Sequence, residues 1–230
     1  MRYATIIAIT SICFMAACGK GGDAGGGSGE GGGTGEGGGA AASSAAEMTP
    51  EKAKSISESL ELGEGWTKGM KNASSDGFMV TFAGPENANK VKQNVMITAM
   101  RCFPATCKEL KADVWKQNEA NLKMKLSKEL AESPGLTFDI SETTVDGKPA
   151  IAVYTLGYME KDTADGGKSR VSAHSYDLFW HNGKTMVTVS ATPGYSGAQS
   201  LDEVKTKMTK EELEKNAKDA MGKVVKAVEG

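Results

Sequence analysis

Along residues 49–230 the apolar positions alternate between a repeat near 3.6 residues and a repeat of 2, and the switches divide the chain into helices and strands. Thr49-Pro50-Glu51 offers a capping hydroxyl, a proline at the first helical position and an acid near the positive end of the dipole. A short helix is expected from there to about Leu62, stopped by Gly63. A strand follows at Trp66–Lys71, then a Ser74-Ser75-Asp76-Gly77 turn, a strand at Phe78–Phe82 and a loop at Gly84-Pro85. In the next strand, Val91–Cys102, Val95, Ile97 and Ala99 share one face while Met96 and Met100 share the other, so both faces are expected to be covered.

Thr106-Cys107-Lys108-Glu109 reads as a capping box opening a long helix from about Cys107 to Ser133, with Leu110, Val114, Leu122, Leu126 and Leu130 as its inward stripe. Four strands form a meander after it. Leu136–Val145 turns at Asp146-Gly147 into Ala150–Glu160, a polar loop Lys161–Ser169 leads to Arg170–His181, and Asn182-Gly183 makes a tight turn into Lys184–Thr192. Ser200-Leu201-Asp202-Glu203 caps a last helix running to Val228, with Thr209, where Thr209–Glu212 repeats the capping pattern, as an alternative point of restart. Its apolar stripe is Leu213, Ala217, Ala220, Met221, Val224, Val225 and Val228. The order α-β-β-β-α-β-β-β-β-α predicts an α+β domain, an antiparallel sheet covered by helices.

The region before residue 49 has a different pattern. One cation, Arg2, precedes an uncharged apolar run from Ala4 to Ala17, and Cys18 follows two small residues; that is the layout of a secretory signal peptide. The run is shorter than the roughly 18–20 residues that span a bilayer. Met15-Ala16-Ala17-Cys18 resembles the lipobox of bacterial lipoproteins, although members of that class more often carry leucine at the position of Met15. The resemblance implies diacylation (the palmitate-type modification) of the Cys18 sulfur, cleavage before Cys18 and acylation of the new amino terminus. An ordinary signal peptide cut near Ala16-Ala17 is the alternative. Gly19 stands where the enterobacterial members that stay at the inner membrane carry aspartate, so the resemblance implies outer-membrane sorting. From Gly19 to Gly39, 14 of 21 residues are glycine, a composition that cannot bury enough apolar area to offset its ordering entropy. Residues 18–48 thus read as a lipidated tether with a reach of about 30 Å, and 49–230 as one globular domain.

Removal of residues 1–17 leaves 26 basic against 29 acidic residues, a balance with no electrostatic footprint for nucleic acid. Cys13 leaves with the leader and Cys18 takes the lipid, so Cys102 and Cys107 remain. An even pair in an oxidising compartment is most simply a disulfide; free thiols are the alternative, and redox or metal chemistry would prefer C-x-x-C to the C-x₄-C found here.

No catalytic constellation survives its spacing test. Gly194-Tyr195-Ser196-Gly197-Ala198 lies between a strand and a helix but misses the G-x-S-x-G pattern at Ala198, and both histidines precede the serine. His174 and His181, seven apart on one strand, face opposite ways. The acids Glu211, Glu212, Glu214 and Asp219 interleave with lysines as Glu211–Lys215 and Glu214–Lys218, a solvated helix face. Lys123, Lys125 and Lys128 alternate with Leu122, Met124 and Leu126 as in an ordinary amphipathic helix, contact with an anionic membrane being the alternative. Trp66, Tyr154, Tyr158, Tyr176 and Trp180 are the raw material for a ligand groove, but aromatics spaced like this are more often sheet core, and none of them is named as a site.

The tryptophan-led strand, Gly77-Phe78-Met79-Val80-Thr81-Phe82, the hairpin Val145-Asp146-Gly147-Lys148-Pro149-Ala150, then Tyr176-Asp177-Leu178-Phe179 and a closing helix resemble the layout of the PsbP-like superfamily. That family includes the photosystem II extrinsic protein and many bacterial lipoproteins. The resemblance implies an α/β/α sandwich, usually non-enzymatic, serving as an accessory or binding module. The expectation is an exported lipoprotein, anchored to the cell envelope at the outer membrane on its periplasmic face or the cell surface. It would have no cofactor, no bound metal and no enzymatic activity, and would act on an envelope protein partner. The rival expectation is a carrier holding a small apolar ligand between sheet and helix.

Overall fold

The computed structural model describes residues 47–102, 107, 110–117, 136–162, 166–194 and 200–230. Residues 1–46, with the expected leader, Cys18 and most of the expected tether, lie outside them, as does the expected long helix beyond residue 117. Met48, expected as the last residue of a tether, is buried in the core, so the packed domain begins one residue earlier than the sequence suggests.

Thr49 caps helix α1 (Pro50–Ser59) as expected, its hydroxyl accepting from Lys52 N at 3.3 Å. The helix stops at Ser59 rather than near Leu62 because Leu60 leaves helical geometry and buries its side chain. Strands β1 (Thr67–Ala73), β2 (Gly77–Glu86) and β3 (Lys92–Arg101) form a first meander. A short helical stretch, α2 (112–117), precedes the second meander of β4 (Thr137–Val145), β5 (Lys148–Asp162), β6 (Lys168–His181) and β7 (Thr185–Pro193). Helices α3 (Leu201–Lys207) and α4 (Lys210–Glu229) close the chain.

The strands make one seven-stranded antiparallel sheet in the order β1-β2-β3-β7-β6-β5-β4. The fold class is therefore α+β, with the two meanders joined where β3 pairs with β7. Helix α4 crosses β7, β6 and β3, while α1 lies on β1 and β2, and α3 lies on β5. Every residue of the expected α4 stripe is buried, from Leu213 to Val228. The sheet face beneath it contributes Phe78, Val80, Phe82, Val95, Ile97, Ala99, Val187, Val189, Ala191, Leu178 and Trp180 to one continuous core.

Several local expectations are corrected. Gly84-Pro85 is not a loop but the end of β2, where the register shifts between Ala83 and Glu86 and a proline can sit without breaking a ladder. Gly84 is required there because a Cβ would come within 2.8 Å of the Trp66 ring. The hairpin joining β5 and β6 pairs as far as Asp162 with Lys168, which shortens the expected loop. Helical geometry after β3 starts at residue 112 instead of Cys107, which sits in a bend; Thr106, the expected cap, lies outside the described residues. Val114, placed in the inward stripe, is exposed, and Trp115 turns inward instead to meet Phe179 with ring centroids 4.2 Å apart. The restart that the repeated capping pattern suggested is present: the last helix is divided at Met208, which is extended and fully buried, and Thr209 starts α4 with a complete capping box.

Candidate functional site

The two cysteines at the β3 exit are joined, Cys102 to Cys107, with Cα atoms 5.8 Å apart. Cys102 N also donates to Lys184 O at 2.7 Å, which ties this corner to the β6–β7 turn. That turn is organised by the Asn182 side chain, whose Oδ1 accepts from Lys184 N at 3.0 Å and from Thr185 N at 2.7 Å. Cys18, the expected lipid site, lies outside the described residues.

The aromatic residues do not converge on one groove. Tyr176 and Trp180 are buried in the core under α4. Trp66 packs over Gly84 ahead of β1, five strands away in the sheet from Tyr154 on β5. Tyr158 has its side chain outside the described residues. Between the sheet and α4, Ile97, Val189, Leu213, Met221 and Val224 are each fully buried, so side chains fill this layer. An open groove of about 660 Å³ is bounded by Leu62, Trp66 and Pro85 and by the outward residues Lys215, Asn216, Asp219 and Lys223 of α4. Its walls mix these charged side chains of α4 with the apolar Leu62, Trp66, Pro85 and Val145.

The histidines separate as expected. His174 faces α3 and α4 on β6 and is buried, with Nε2 3.1 Å from the Tyr154 hydroxyl and Nδ1 without a partner. Burial pushes its pKa down from 6.5 to about 4, so it is neutral at physiological pH. Lys210 lies 5.0 Å above the Tyr154 ring and pairs with Asp139 at 2.8 Å. Burial, with the nearby Glu211 carboxylate, raises the Tyr154 pKa. Tyr176 is raised by burial and by its neighbour Glu214. His181 stands at the end of β6 on the opposite face and accepts from Gly183 N at 3.2 Å through Nδ1. On α4 the ion pairs are Lys218–Glu214 and Lys215–Asp219, both at 2.7 Å, so Lys215 pairs forward along the helix rather than back to Glu211. Of the glycine-rich loop after β7 only Gly194 is described, its N–H bonded to Lys92 O at 2.6 Å; residues 195–199 lie outside, as do Lys123, Lys125 and Lys128.

The most unusual group was not singled out in the sequence. Asp177, at the centre of β6, is wholly buried on the face away from α4. Ser175 Oγ donates to its Oδ2 at 2.7 Å and Ser190 adds a second side-chain hydrogen bond, while Oδ1 has no partner. Burial outweighs the two hydroxyls and raises the pKa from 3.8 to about 6. The register places Asp177 level with Val153 on β5 and Ser190 on β7, and Ser190 level with Met96 on β3. The sequence signal was there: an acid enclosed by Tyr176, Leu178, Phe179 and Trp180, in a strand whose two faces are both apolar.

Among the described residues no group of three or more histidine, cysteine, aspartate or glutamate side chains is arranged to hold a metal ion. Comparisons with protein-family models, curated proteins and solved structures return no match to this chain.

Proposed function

We propose that the chain is an exported lipoprotein whose single domain, PsbP-like in layout, serves as a non-enzymatic accessory or interaction module in the cell envelope. The observation that carries this reading is Met15-Ala16-Ala17-Cys18 at the end of an uncharged apolar run led by Arg2. Diacylation of Cys18 and acylation of its amino group would bury several acyl chains, at about 0.8 kcal/mol per CH₂, where a single chain holds only marginally. The glycine-rich segment would then let the domain move clear of the headgroups toward an envelope protein partner. The joined Cys102–Cys107 pair supports an oxidising compartment. The fully buried side chains between the sheet and α4 favour the adaptor over a carrier that holds its ligand in that layer. Outer-membrane placement follows from Gly19 at the sorting position.

The full chain expressed in a bacterial host tests the anchor. The expected mature form begins at Cys18, carries acyl mass and partitions into detergent. Cys18→Ser should keep the leader and lose the acyl chains. A soluble product cut near Ala17 without acyl mass would overturn the lipoprotein reading. Crosslinking in whole cells tests the partner: the lipidated form should capture a discrete envelope protein. Native mass spectrometry that instead finds a small molecule released on denaturation would favour carriage.

A further inference from the structure

We propose that the sheet face opposite α4 carries a thioether site for a soft monovalent cation, copper(I) or silver(I), formed by Met79 and Met100 with Met186 beside them. The register puts these residues on one face of adjoining strands. Met79 is level with Thr98 and Met100 with Gly77, so the two methionines are diagonal neighbours on β2 and β3; Met100 is directly opposite Met186 on β7. Opposed residues in such a pair have Cβ atoms about 4.5–5.5 Å apart and diagonal ones about 7–8 Å, within reach of an unbranched side chain with three rotatable bonds. Met96 is also diagonal to Met79, and exposed Met70 lies in the β1 bulge beside Thr81.

Beside Gly77 the strands β2 and β3 approach so closely that a Cβ there would sit 2.1 Å from Ala99 O, so no side chain projects over Met100 from that position. A recess of about 180 Å³ lies alongside, lined by Met79, Met100 and Thr98 with Asn72, Ser74 and Asp76. Met79 and Met100 are half-buried, reachable from solvent yet partly desolvated, and Met186, paired with Met100, is buried and outside the recess lining. Thioethers are soft, polarisable donors that discriminate against magnesium, calcium and zinc and favour copper(I). The nearby cysteines are tied up with each other and do not compete for the ion.

The test uses silver(I), which needs no reductant and so leaves the disulfide in place, titrated in chloride-free buffer into the full chain purified after export. The expected result is one equivalent of silver bound, with affinity lowered at least tenfold by Met79→Leu and by Met100→Leu. These swaps nearly conserve volume and should keep the circular dichroism spectrum. Met221→Leu, in the core under α4, should leave binding unchanged. X-ray absorption of the copper(I) form should show a first shell of sulfur only. The proposal is overturned by wild-type binding no tighter than that of the two leucine variants, by an equal loss in Met221→Leu, or by a nitrogen or oxygen first shell.

Discussion

Under α4, the central strands present Ile97, Val187, Val189, Leu178 and Ala152, all close to zero exposure and all apolar; on the reverse face the same strands present Thr98, Met96, Thr188, Ser190, Asp177 and Val153. The first face meets a helix whose seven-residue apolar stripe is complete, and its stability comes from area and volume. The second keeps polar atoms out of water within a sheet, where each must find a partner or bear a desolvation cost. Ser175 and Ser190 satisfy one oxygen of Asp177 and its immediate surroundings, and the other oxygen stays unpaired. A buried carboxyl of this kind is weak evidence for stability. The face under α4 holds the fold together, and the reverse face is where unusual chemistry is concentrated.

The largest expected effect sharpens that division. Met221→Ala removes a fully buried side chain from the α4 stripe, and should cost about 2–5 kcal/mol depending on how far the site collapses. Met96→Ala, on the reverse face beside Ser190, should cost no more than half as much, since its side chain retains some exposure and polar neighbours. Urea denaturation of both variants checks this, with the slope expected to be unchanged. Equal losses would mean that the reverse face is as tightly specified by volume as the face under α4.

The second test uses the opposite signs of two buried titrations. Asp177 has its pKa raised from 3.8 to about 6, so the folded state holds the proton more tightly; stability from this group is full at low pH and is lost as pH rises from about 4 to 6. His174 has its pKa lowered from 6.5 to about 4, so the folded state resists protonation, and stability is lost as pH falls over nearly the same range. Each shift corresponds to about 3 kcal/mol at most. Half-buried His181 is shifted in the same direction as His174 and adds to the loss on acidification. The wild-type chain should show a shallow stability profile between pH 4 and 6.5 because the contributions oppose each other. Asp177→Asn should lose stability on acidification in this window, and His174→Gln should gain it. Thermal melts of the three proteins across that range decide the matter, and parallel profiles would refute the assignment of opposing titrations to Asp177 and His174.

These two groups also mark where the sequence stopped being informative. The 3.6-residue repeat of Leu213, Ala217, Met221, Val224 and Val228 predicted the buried face of α4 residue by residue, because one helix against one dry sheet leaves a single periodic signal. The alternation Val95, Ile97, Ala99 predicted which side of β3 faces the main core for the same reason. Gly84-Pro85 misled because the composition of a loop is also that of a bulged strand end beneath a tryptophan. Val114 misled because helical spacing alone cannot say whether Val114 or Trp115 faces the sheet; the contact with Phe179 decides it. Asp177 was legible only as a residue type in an apolar run. That its partners would be Ser175 and Ser190 depends on pairing between β6 and β7, which periodicity within one strand does not contain. The methionine grouping depends in the same way on register across β2, β3 and β7.

The smallest effect concerns the point at which the chain begins to cover the face under α4. Met208 is extended and fully buried, and Thr209 restarts the helix by accepting from Glu212 N at 3.2 Å while Glu212 returns a carboxylate to Thr209 N at 2.7 Å. Glu212 is also within reach of Asn87 Nδ2 at 3.3 Å, and Asn87 Nδ2 donates to Lys207 O at 2.8 Å, so the break between α3 and α4 is fixed to the β2–β3 connection. Thr209→Ala removes the hydroxyl acceptor and should cost about 1 kcal/mol, with Thr209→Ser restoring most of it. The loss should be local. Amide exchange should quicken in the first turn of α4, and the Lys210–Asp139 pair should loosen above Tyr154. Amides of β6 flanking Asp177 should exchange at the wild-type rate relative to global unfolding. If instead both faces open together in Thr209→Ala, the seal on one side of the sheet and the polar centre on the other form a single cooperative unit, and Asp177 is held in place by the packing of α4 through β6 and β7.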